Sequence, residues 1–313
     1  MTIDVLVLHP KAEEFTNTLR PEFPDVTFRV AHNEQEALPI CGDSNVIVAM
    51  AHGIPASVVN KMPRLRWIQA LTTGTDHLLT LNLSKDIVVT SGRGIHGPQM
   101  SEMAFLYMLS HFRDIRRLLA NQAQAKWQNW PQRLLWSKTV TILGVGAISE
   151  QLALRCKAFD MHVIGISSSR TQVSNFDELF PRERITEAVA KADVFVVLIP
   201  YSPETHHIVD RKVIEAMKPS ALLINIARGK VIDEPVLTEA LAQKKIAGAG
   251  LDVFEVEPLP AESPLWAMDN VIITPRVGGF SDVYVQQVMP VVRENIGIYR
   301  SGRPSEMRNI VRL

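Results

Sequence analysis

The stretch Thr139–Cys156, TVTILGVGAISEQLALRC, contains the clearest evidence for the fold of this chain. An apolar β run ends at Gly144, a second glycine follows at Gly146, and a helical pattern begins at Ala147. A strand that leads through two glycines into a helix is typical of the first βα unit of a parallel sheet. Ser149 replaces the third glycine of the G-x-G-x-x-G spacing, and its small side chain is compatible with close packing of helix on strand. The stretch therefore predicts a doubly wound α/β domain.

The same turn predicts a site for the pyrophosphate of a dinucleotide. Because neither glycine has a side chain, backbone amides and the helix dipole can face an anion directly. The residues that we expect to contact this cofactor are Gly144, Gly146, Ala147 and Ile148. For the glycine pair taken alone, a tight βα turn that binds no ligand is the alternative.

Apolar runs of strand type continue on both sides of this stretch. After it, they lie at His162–Ile166, Val194–Ile199, Ala221–Ile226, Ala247–Val253 and Val271–Thr274. Before it, a separate alternating series lies at Ile3–Leu8, Val46–Met50, Leu65–Ala70 and Ile87–Thr90. Near-continuous apolar strands with helical patterns between them are typical of parallel sheets that helices cover.

A length of 313 residues suits two domains rather than one core. From Pro98 to Leu119, apolar residues at helical spacing predict one long helix that joins the domains. A second helical pattern at Val283–Tyr299 can return the chain to the first domain, which would then be discontinuous.

Composition argues against several classes of function. The chain is 46% hydrophobic and 21% charged, and its apolar runs are too short to span a bilayer. Its 33 basic residues equal its 33 acidic ones, so no net field attracts nucleic acid. Cys41 and Cys156 lack a C-x-x-C spacing, and the N-terminal MTIDVLVLHP has Asp4 where a signal peptide would be basic or apolar. We expect no nucleic-acid partner, no membrane partner and a reducing cytoplasm.

The adjacent residues His206 and His207 do not predict a metal site. Neighbouring histidines do not share one face of a helix or strand, and no third ligand lies at metal spacing. We therefore expect no metal.

A serine-rich segment, GISSSRT, follows the glycine turn by about twenty residues. At this distance an NAD-binding chain presents a carboxylate to the ribose hydroxyls. Here Ser167, Ser168 and Ser169 offer hydroxyl groups and Arg170 offers a cation, which favours a 2′-phosphate and hence NADP over NAD. A solvated turn with an incidental arginine is the alternative.

Three segments further along each end an apolar run in a polar group. LINIARGKVID carries Arg228, GAGLDVFEVEPLP carries Asp252 and Glu257, and ITPRVGGF carries Arg276. Open α/β sheets bind ligands beyond the carboxyl ends of their strands. We therefore expect these four side chains to converge in one crevice.

With these motifs the chain resembles the D-2-hydroxyacid dehydrogenase family over nearly its whole length. The resemblance is carried by ILGVGAI, VVLIPYSPETHHIV, LLINIARGKVID, IAGAGLDVFEVEPLP, VIITPRVGGF, LTTGTDHLL and SGRGIHGPQMSE. It implies a flavodoxin-like substrate domain made of residues 1–99 and 286–313, with a Rossmann-type NAD(P)-binding domain at 100–285 inserted into it. It also implies a homodimer and hydride transfer between a nicotinamide and the C2 carbon of a 2-oxoacid or 2-hydroxyacid.

The resemblance implies roles for individual residues. Arg228 looks like the arginine that binds the substrate carboxylate and polarises its carbonyl group, which suits a planar guanidinium. Asp252 looks like the residue that orients the nicotinamide amide, and Glu257 corresponds to a carboxylate that pairs with a histidine. The turn expected to complete the carboxylate site is Thr73, Gly74 and Thr75. Further cofactor contacts are expected at Pro200, Thr205 and Ala227.

The sequence departs from the family at Arg276. The usual T-P-H pattern places a histidine there, which gives a proton to the new hydroxyl group as the hydride arrives. Neutralising a guanidinium at pH 7 costs roughly 7–9 kcal/mol, so an arginine cannot serve as that acid. Simple loss of the acid would slow the chemical step by about 10²–10⁴-fold.

Three hypotheses follow from this departure. In the first, the chain is a 2-oxoacid reductase in which Arg276, held by Glu257, donates hydrogen bonds to the carbonyl oxygen. Water, His96 or His77 would supply the proton, and in one variant Arg228 and Arg276 together select a substrate with two acidic groups. In the second, the chain is a catalytically impaired dinucleotide-binding protein that acts as a redox-responsive interaction or regulatory module. In the third, it retains residual activity from an enzymatic ancestor.

Overall fold

Apolar strands form two separate sheets in residues 2–311, which are those that the computed structural model describes. Met1, Arg312 and Leu313 belong to the expected first domain and lie outside the described residues. In chain order the strands are β1 (Ile3–Leu8), β2 (Val26–Ala31), β3 (Val46–Ala49), β4 (Trp67–Ala70), β5 (Val88–Thr90), β6 (Thr139–Leu143), β7 (His162–Ile166), β8 (Glu178–Phe180), β9 (Val194–Val197), β10 (Leu222–Asn225), β11 (Gly248–Leu251), β12 (Val271–Ile273) and β13 (Ile310–Val311).

The helices alternate with these strands. They are α1 (Ala12–Glu22), α2 (Glu34–Ala37), α3 (Ala56–Asn60), α4 (Gly97–Phe112), α5 (Ile115–Ala123), α6 (Ala147–Ala158), α7 (Ile185–Lys191), α8 (Arg211–Ala216), α9 (Glu234–Ala242) and α10 (Tyr284–Arg300). The chain divides into two units. Unit 1 comprises Met1–Ile95 and Ser281–Leu313, and unit 2 comprises His96–Phe280.

The sheet of unit 1 has the strand order β13-β5-β4-β3-β1-β2. Strands β1 to β5 are parallel in the flavodoxin-like order, and β13 adds an antiparallel edge. Trp67 of β4 is completely buried, packs on the ring of Tyr299 in α10, and donates from Nε1 to the hydroxyl of Thr90 at 2.8 Å. These contacts tie the C-terminal helix to the core of the N-terminal segment.

The sheet of unit 2 is entirely parallel, with the order β12-β11-β10-β9-β6-β7-β8. This is the Rossmann order with one additional strand, and it places the topological switch point between β6 and β9. The central strands are short apolar runs such as Val194–Val197, in which every residue is buried. Helices cover both faces because such strands have no polar face to give to water. The prediction of two doubly wound α/β domains is confirmed.

The prediction of one long helix from Pro98 to Leu119 is wrong. Helix α4 ends at Phe112, and Asp114 has a left-handed backbone (φ +52°) before α5 begins. Helix α4 contributes Tyr107 and Met108 to the core of unit 2, whereas α5 contains no buried residue. The apolar spacing continues through the break, so it did not reveal that the two helices differ in their surroundings.

The boundaries of the units differ from the expected 99/100 and 285/286. Helix α4 lies wholly in unit 2 and α10 lies wholly in unit 1, so the chain passes between units after Ile95 and after Phe280. Each expected boundary would separate the first residues of a helix, α4 or α10, from the rest of that helix.

Among the described residues, no helix has the length and apolar character needed to cross a membrane.

Candidate functional site

The turn between β6 and α6 is shaped for close approach of another backbone. Gly144 has φ +100°, and a Cβ atom added there would lie 2.9 Å from the backbone of Leu198 and Ile199. Only glycine fits such a position. At Gly146, by contrast, an added Cβ atom would meet no atom within 4 Å. The turn is therefore packed against the backbone that follows β9 on one side and faces open space at the start of α6.

Ser149 closes this turn through two hydrogen bonds. Its buried Oγ accepts from the amide of Gly146 at 2.6 Å and donates to the carbonyl of the same residue at 2.8 Å. The amides of Ala147 and Ile148 lie in the first turn of α6, where N–H groups have no acceptor within the helix. Open space, two such amides and the positive end of the helix dipole fit a pyrophosphate group.

The serine-rich segment lies directly after β7. Ser167 Oγ accepts from the amides of Ser169 and Arg170, at 3.3 and 2.9 Å, and Ser168 is exposed. The guanidinium of Arg170 donates to Glu150 in the first turn of α6 at 2.9 Å. Glu150 thus brings a carboxylate to this segment from a different element, which the local sequence GISSSRT does not show.

The loop after β9 is held by one buried hydroxyl group. Thr205 Oγ1 accepts from the amide of Ser202 at 2.7 Å and donates to the carbonyl of Pro200 at 2.9 Å. Thr205 is 3% exposed, whereas Pro200 is exposed. Thr205 therefore shapes the loop, and Pro200 is the member of the pair that is available for contact with a ligand.

The loop that carries Arg228 follows β10. Asn225 braces it, accepting from the amide of the buried Ala227 and donating to the carbonyl of Arg228, each at 3.1 Å. A Cβ atom at Gly229 would lie 1.9 Å from the carbonyl of Phe254, so this loop presses against the one after β11. Arg228 is half-buried, and its Nη1 donates to the carbonyl of Ala227 at 2.8 Å.

Arg276 and Glu257 form an ion pair. Nη1 of Arg276 donates to Oε2 of Glu257, and Oε1 of the same carboxylate accepts from the amide of Phe254 at 3.1 Å. The side chain of Arg276 is 53% exposed and that of Glu257 is 26% exposed. The backbone of Arg276 is left-handed (φ +55°), a conformation that is unfavourable for a residue with a Cβ atom.

Asp252 binds the turn on which Arg276 lies. Its Oδ1 accepts from the amide of Val277 at 2.9 Å and from the hydroxyl of Thr274, and its Oδ2 accepts from the amide of Gly278 at 3.0 Å. The carboxylate is 3% exposed. Burial raises its pKa, while these hydrogen bonds and the charge of Arg276 act in the opposite direction.

Arg228, Asp252, Glu257 and Arg276 thus lie on the loops that follow β10, β11 and β12. These three strands are adjacent, and their carboxyl ends share one edge of the sheet. The Arg276–Glu257 ion pair and the turn that Asp252 binds are both formed by these loops. The residues that sequence reasoning missed are Tyr107, which contacts Thr274, and Thr274 itself. Thr274 stood in the ITPRVGGF segment, whereas Tyr107 resembled any other apolar position of α4.

The histidines named as proton donors differ in their surroundings. His96 is 8% exposed, and burial lowers its pKa to about 4, so it is neutral at pH 7. His77 is exposed in a short 3-10 helix (Asp76–Leu81) of unit 1. The turn Thr73–Thr75 immediately precedes that helix and follows β4, and a hydrogen bond of 2.7 Å from Thr72 Oγ1 to the carbonyl of Gly74 shapes it.

Within residues 2–311, no group of three or more His, Cys, Asp or Glu side chains is arranged to hold a metal ion. His207 lies with Nε2 2.6 Å from Glu255 and its ring stacks on His206, at 3.9 Å between centroids. Glu255, the partner of His207, is also joined to Glu234. Each of these two carboxylates accepts a hydrogen bond from the backbone amide of the other residue. Burial and the neighbouring carboxylates raise the pKa of Glu234.

Comparison with protein families gives a match at residues 105–278. The matching family is described as D-isomer specific 2-hydroxyacid dehydrogenase, NAD binding domain. A D-3-phosphoglycerate dehydrogenase of Methanocaldococcus jannaschii is 30% identical over an alignment of 326 positions, gaps included, that covers 99% of this chain. The match covers 60% of that relative, so this chain spans less than two thirds of its length.

Solved structures agree over the whole chain. A D-isomer specific 2-hydroxyacid dehydrogenase family protein of Aeromonas salmonicida matches with a TM-score of 0.93 and 32% identity, covering 100% of this chain and 99% of that one. An NADPH-dependent glyoxylate/hydroxypyruvate reductase of Sinorhizobium meliloti, in complex with NADP and sulfate, matches with a TM-score of 0.84 and 26% identity. The shares covered are 99% of this chain and 98% of the reductase.

Proposed function

The chain belongs to the D-isomer-specific 2-hydroxyacid dehydrogenase family, and we propose that it uses NADPH to reduce a small 2-oxoacid to the 2-hydroxyacid. Membership of this family supports an NAD(P)-dependent oxidoreductase activity on 2-hydroxyacids. The observation that carries the mechanism is the presence of two arginines, Arg228 and Arg276, on loops at one edge of the sheet.

Arg228 is the residue that we assign to the substrate carboxylate. A guanidinium can bind a carboxylate through two parallel hydrogen bonds and stays charged at any working pH. The braces from Asn225 and the glycine contact at Gly229 fix the backbone from which this side chain extends. The turn Thr73–Thr75 remains a predicted contact of the substrate carboxylate.

Arg276 is assigned to the oxygen of the substrate carbonyl. A bound nicotinamide would supply the hydride to C2, and negative charge would then develop on that oxygen. A cation that is already in place stabilises such charge without reorganising during the reaction. Glu257 holds Nη1 of Arg276, which limits where the rest of the guanidinium can lie.

The proton for the new hydroxyl group must come from another source. Arg276 keeps its proton, and His96 is neutral at pH 7 because burial lowers its pKa to about 4. We assign the proton to water, which can reach a guanidinium that is 53% exposed. The reaction then consumes one 2-oxoacid, one NADPH and one proton from solvent.

NADPH is preferred in this proposal because of the segment from Ser167 to Arg170. The pairing of Arg170 with Glu150 does not prevent a role in phosphate binding, since both side chains are more than one third exposed and such pairs contribute only about 0.2–1 kcal/mol. A 2′-phosphate could replace Glu150 as the partner of Arg170. The S. meliloti reductase, which binds NADP, is a relative with the same overall fold.

Two further parts of the proposal concern assembly and setting. We propose that unit 2 pairs with a second copy of the chain, since large apolar side chains lie on its surface around α5, with Trp127 98% exposed and Trp136 64% exposed.

A reducing cytoplasm suits Cys41 and Cys156, which are both free and buried.

The test is oxidation of NADPH with a panel of 2-oxoacids at high enzyme concentration. The panel comprises glyoxylate, hydroxypyruvate, a bulky aromatic 2-oxoacid and a dicarboxylic one. Turnover with any of them that is lost in Arg228→Ala, while Arg184→Ala remains active, supports the proposal. Absence of turnover with every member would remove it. Preference for the dicarboxylic member would favour the variant in which Arg276 binds a second acidic group.

The second candidate function is a dinucleotide-binding protein with impaired catalysis that acts as a redox-responsive module. The observation that favours it is Arg276, since the family's proton donor is replaced. Tight NADPH binding by calorimetry, no turnover, and a partner protein retained only in the presence of NADPH would support this candidate over the reductase.

A further inference from the structure

A chain of hydroxyl groups ends at the turn that carries Arg276. The hydroxyl of Tyr107, a completely buried residue of α4, lies 2.5 Å from Oγ1 of Thr274, which in turn bonds Oδ1 of Asp252. An ionised carboxylate only accepts hydrogen bonds, and a threonine hydroxyl has one proton to give. Thr274 therefore donates to Asp252, and Tyr107 donates to Thr274.

Tyr107 has little freedom to leave this arrangement. Its side chain lies against β11 at Gly250, where an added Cβ atom would come within 2.3–2.8 Å of three Tyr107 atoms. The strand thus has a glycine where the tyrosine side chain passes over it. Burial also raises the pKa of Tyr107, so its hydroxyl keeps the proton that it donates.

Asp252 connects Thr274 to the turn that carries Arg276. Its two oxygens accept from the amides of Val277 and Gly278, at 2.9 and 3.0 Å, immediately after Arg276. Arg276 has the left-handed backbone (φ +55°) that residues with a Cβ atom rarely adopt. A turn of this kind persists only where its surroundings fix it, and here both following amides are bound by one buried carboxylate.

We propose that Tyr107 and Thr274 are positioning residues, which act through Asp252 to hold the turn that places the Arg276 guanidinium. Tyr107 is connected to this turn through Thr274 and Asp252, so its effect on Arg276 is indirect. The consequence for turnover rests on the proposed reductase function. The consequence for the turn itself does not.

The first arm of the test measures hydrogen exchange by mass spectrometry in peptides that contain Val277 and Gly278. Thr274→Val removes the donor to Asp252, and we expect exchange of these amides to accelerate on the order of 10- to 100-fold. Tyr107→Phe leaves that donor in place and should give a smaller acceleration, about 2- to 10-fold. Thr274→Ser keeps the hydroxyl group and should restore protection.

Matched controls are a buried threonine and a tyrosine elsewhere. Thr141 is completely buried in β6 and donates to the carbonyl of Ala188 at 3.2 Å, so Thr141→Val tests the loss of a core hydroxyl group. Tyr299→Phe removes a hydroxyl group in unit 1. Neither control should change exchange at Val277 and Gly278. Unchanged exchange in Thr274→Val, in a protein that still unfolds cooperatively, would overturn the positioning role, as would equal effects in Thr141→Val.

The second arm measures steady-state reduction of the best 2-oxoacid. We expect Thr274→Val and Tyr107→Phe to lower kcat with little change in the KM for NADPH, and Thr274→Ser to recover it. Accelerated exchange with an unchanged kcat would overturn the role in the reaction. If the unmodified protein reduces no 2-oxoacid, the proposed function fails, while the exchange arm still decides whether these residues hold the turn.

Discussion

Arg276 donates from Nη1 to one oxygen of Glu257, and the other oxygen of that carboxylate accepts from the backbone amide of Phe254. The guanidinium is therefore tied to the main chain after β11 through a carboxylate that is itself held. A surface arginine whose partner rotates freely would gain little from its pairing. Here Glu257 fixes the position of the cation at the edge of the sheet. A group that stabilises developing charge must be held in place in this way.

Replacement of Arg276 distinguishes a working cation from a decayed site. We expect Arg276→Ala to lower kcat by about 10²-fold, since it removes a charged donor to the carbonyl oxygen. Arg276→His should also lose activity, because the shorter imidazole leaves the position of the guanidinium beside the carbonyl oxygen empty. Steady-state kinetics of 2-oxoacid reduction provide the measurement, with Arg184→Ala as the control for loss of a paired arginine in unit 2. A large gain of activity in Arg276→His would identify residual ancestral function instead.

Neutralising Glu257 should change both turnover and anion binding. In Glu257→Gln the Arg276 charge is no longer balanced, so an anionic substrate analogue such as oxamate should bind about 2- to 5-fold more tightly. The value of kcat should fall, because the guanidinium loses its ionic anchor. Inhibition constants measured against the 2-oxoacid test this, and Glu262→Gln is a control at an exposed loop carboxylate. Weaker oxamate binding would contradict an electrostatic role for the pair.

The choice of cofactor should depend on Arg170 and Glu150 in opposite directions. Arg170→Ala should raise the Kd for NADPH on the order of 10-fold, because a charge-assisted contact to the 2′-phosphate is lost, and should leave the Kd for NADH unchanged. Glu150→Gln should lower the Kd for NADPH about 2- to 5-fold, since the phosphate no longer competes with a carboxylate. Titration calorimetry with both dinucleotides measures these constants. Equal changes in the Kd values for NADH and NADPH would argue that the segment does not contact the 2′-phosphate.

Stability should fall in acid because of His111. Burial is the main cause that lowers its pKa, from 6.5 to about 4, and its Nε2 has no hydrogen-bond partner among the described residues. Between these two pH values the unfolded chain binds a proton that the folded chain does not. The free energy of unfolding should therefore decrease as pH falls from 6.5 to 4, by at most about 3 kcal/mol from this residue.

Urea unfolding of unit 2 across this pH range measures the effect. His111→Gln should have a flatter profile than the unmodified protein, whereas His77→Gln, a change at an exposed histidine, should keep the same slope. Identical slopes in the unmodified protein and His111→Gln would show that other groups cause the acid sensitivity.

Strands with continuous apolar sequence could be predicted closely from the sequence. Thr139–Leu143 and His162–Ile166 were predicted with the bounds that the structure has, because buried parallel strands contain little besides apolar residues. The edge strands β2 and β8 were missed. Strand β2 reads VTFRVA, in which the charged Arg29 interrupts the apolar residues, and β8 has only three residues, of which one is Glu178.

The site could be predicted only where a motif placed a residue after a strand. Arg228, Glu257 and Arg276 each follow a recognisable apolar run, so their loops could be assigned to one edge of the sheet. The Glu150 partner of Arg170 and the Tyr107 partner of Thr274 could not be predicted. Both contacts join residues on different elements, and Tyr107 approaches Thr274 across 167 positions of sequence. The local sequence around Glu150 and Tyr107 predicts only which face of its helix each residue occupies.

The return of the chain to unit 1 has a consequence for biosynthesis. Unit 2 is a continuous segment, so all of its strands have been translated once the ribosome has passed Phe280. Unit 1 at that moment still lacks α10, whose Tyr299 packs on Trp67, and β13, which pairs with β5. The nascent protein therefore completes its second module before its first, and the N-terminal strands must wait, with part of their apolar surface uncovered, until the last stretch of polypeptide emerges.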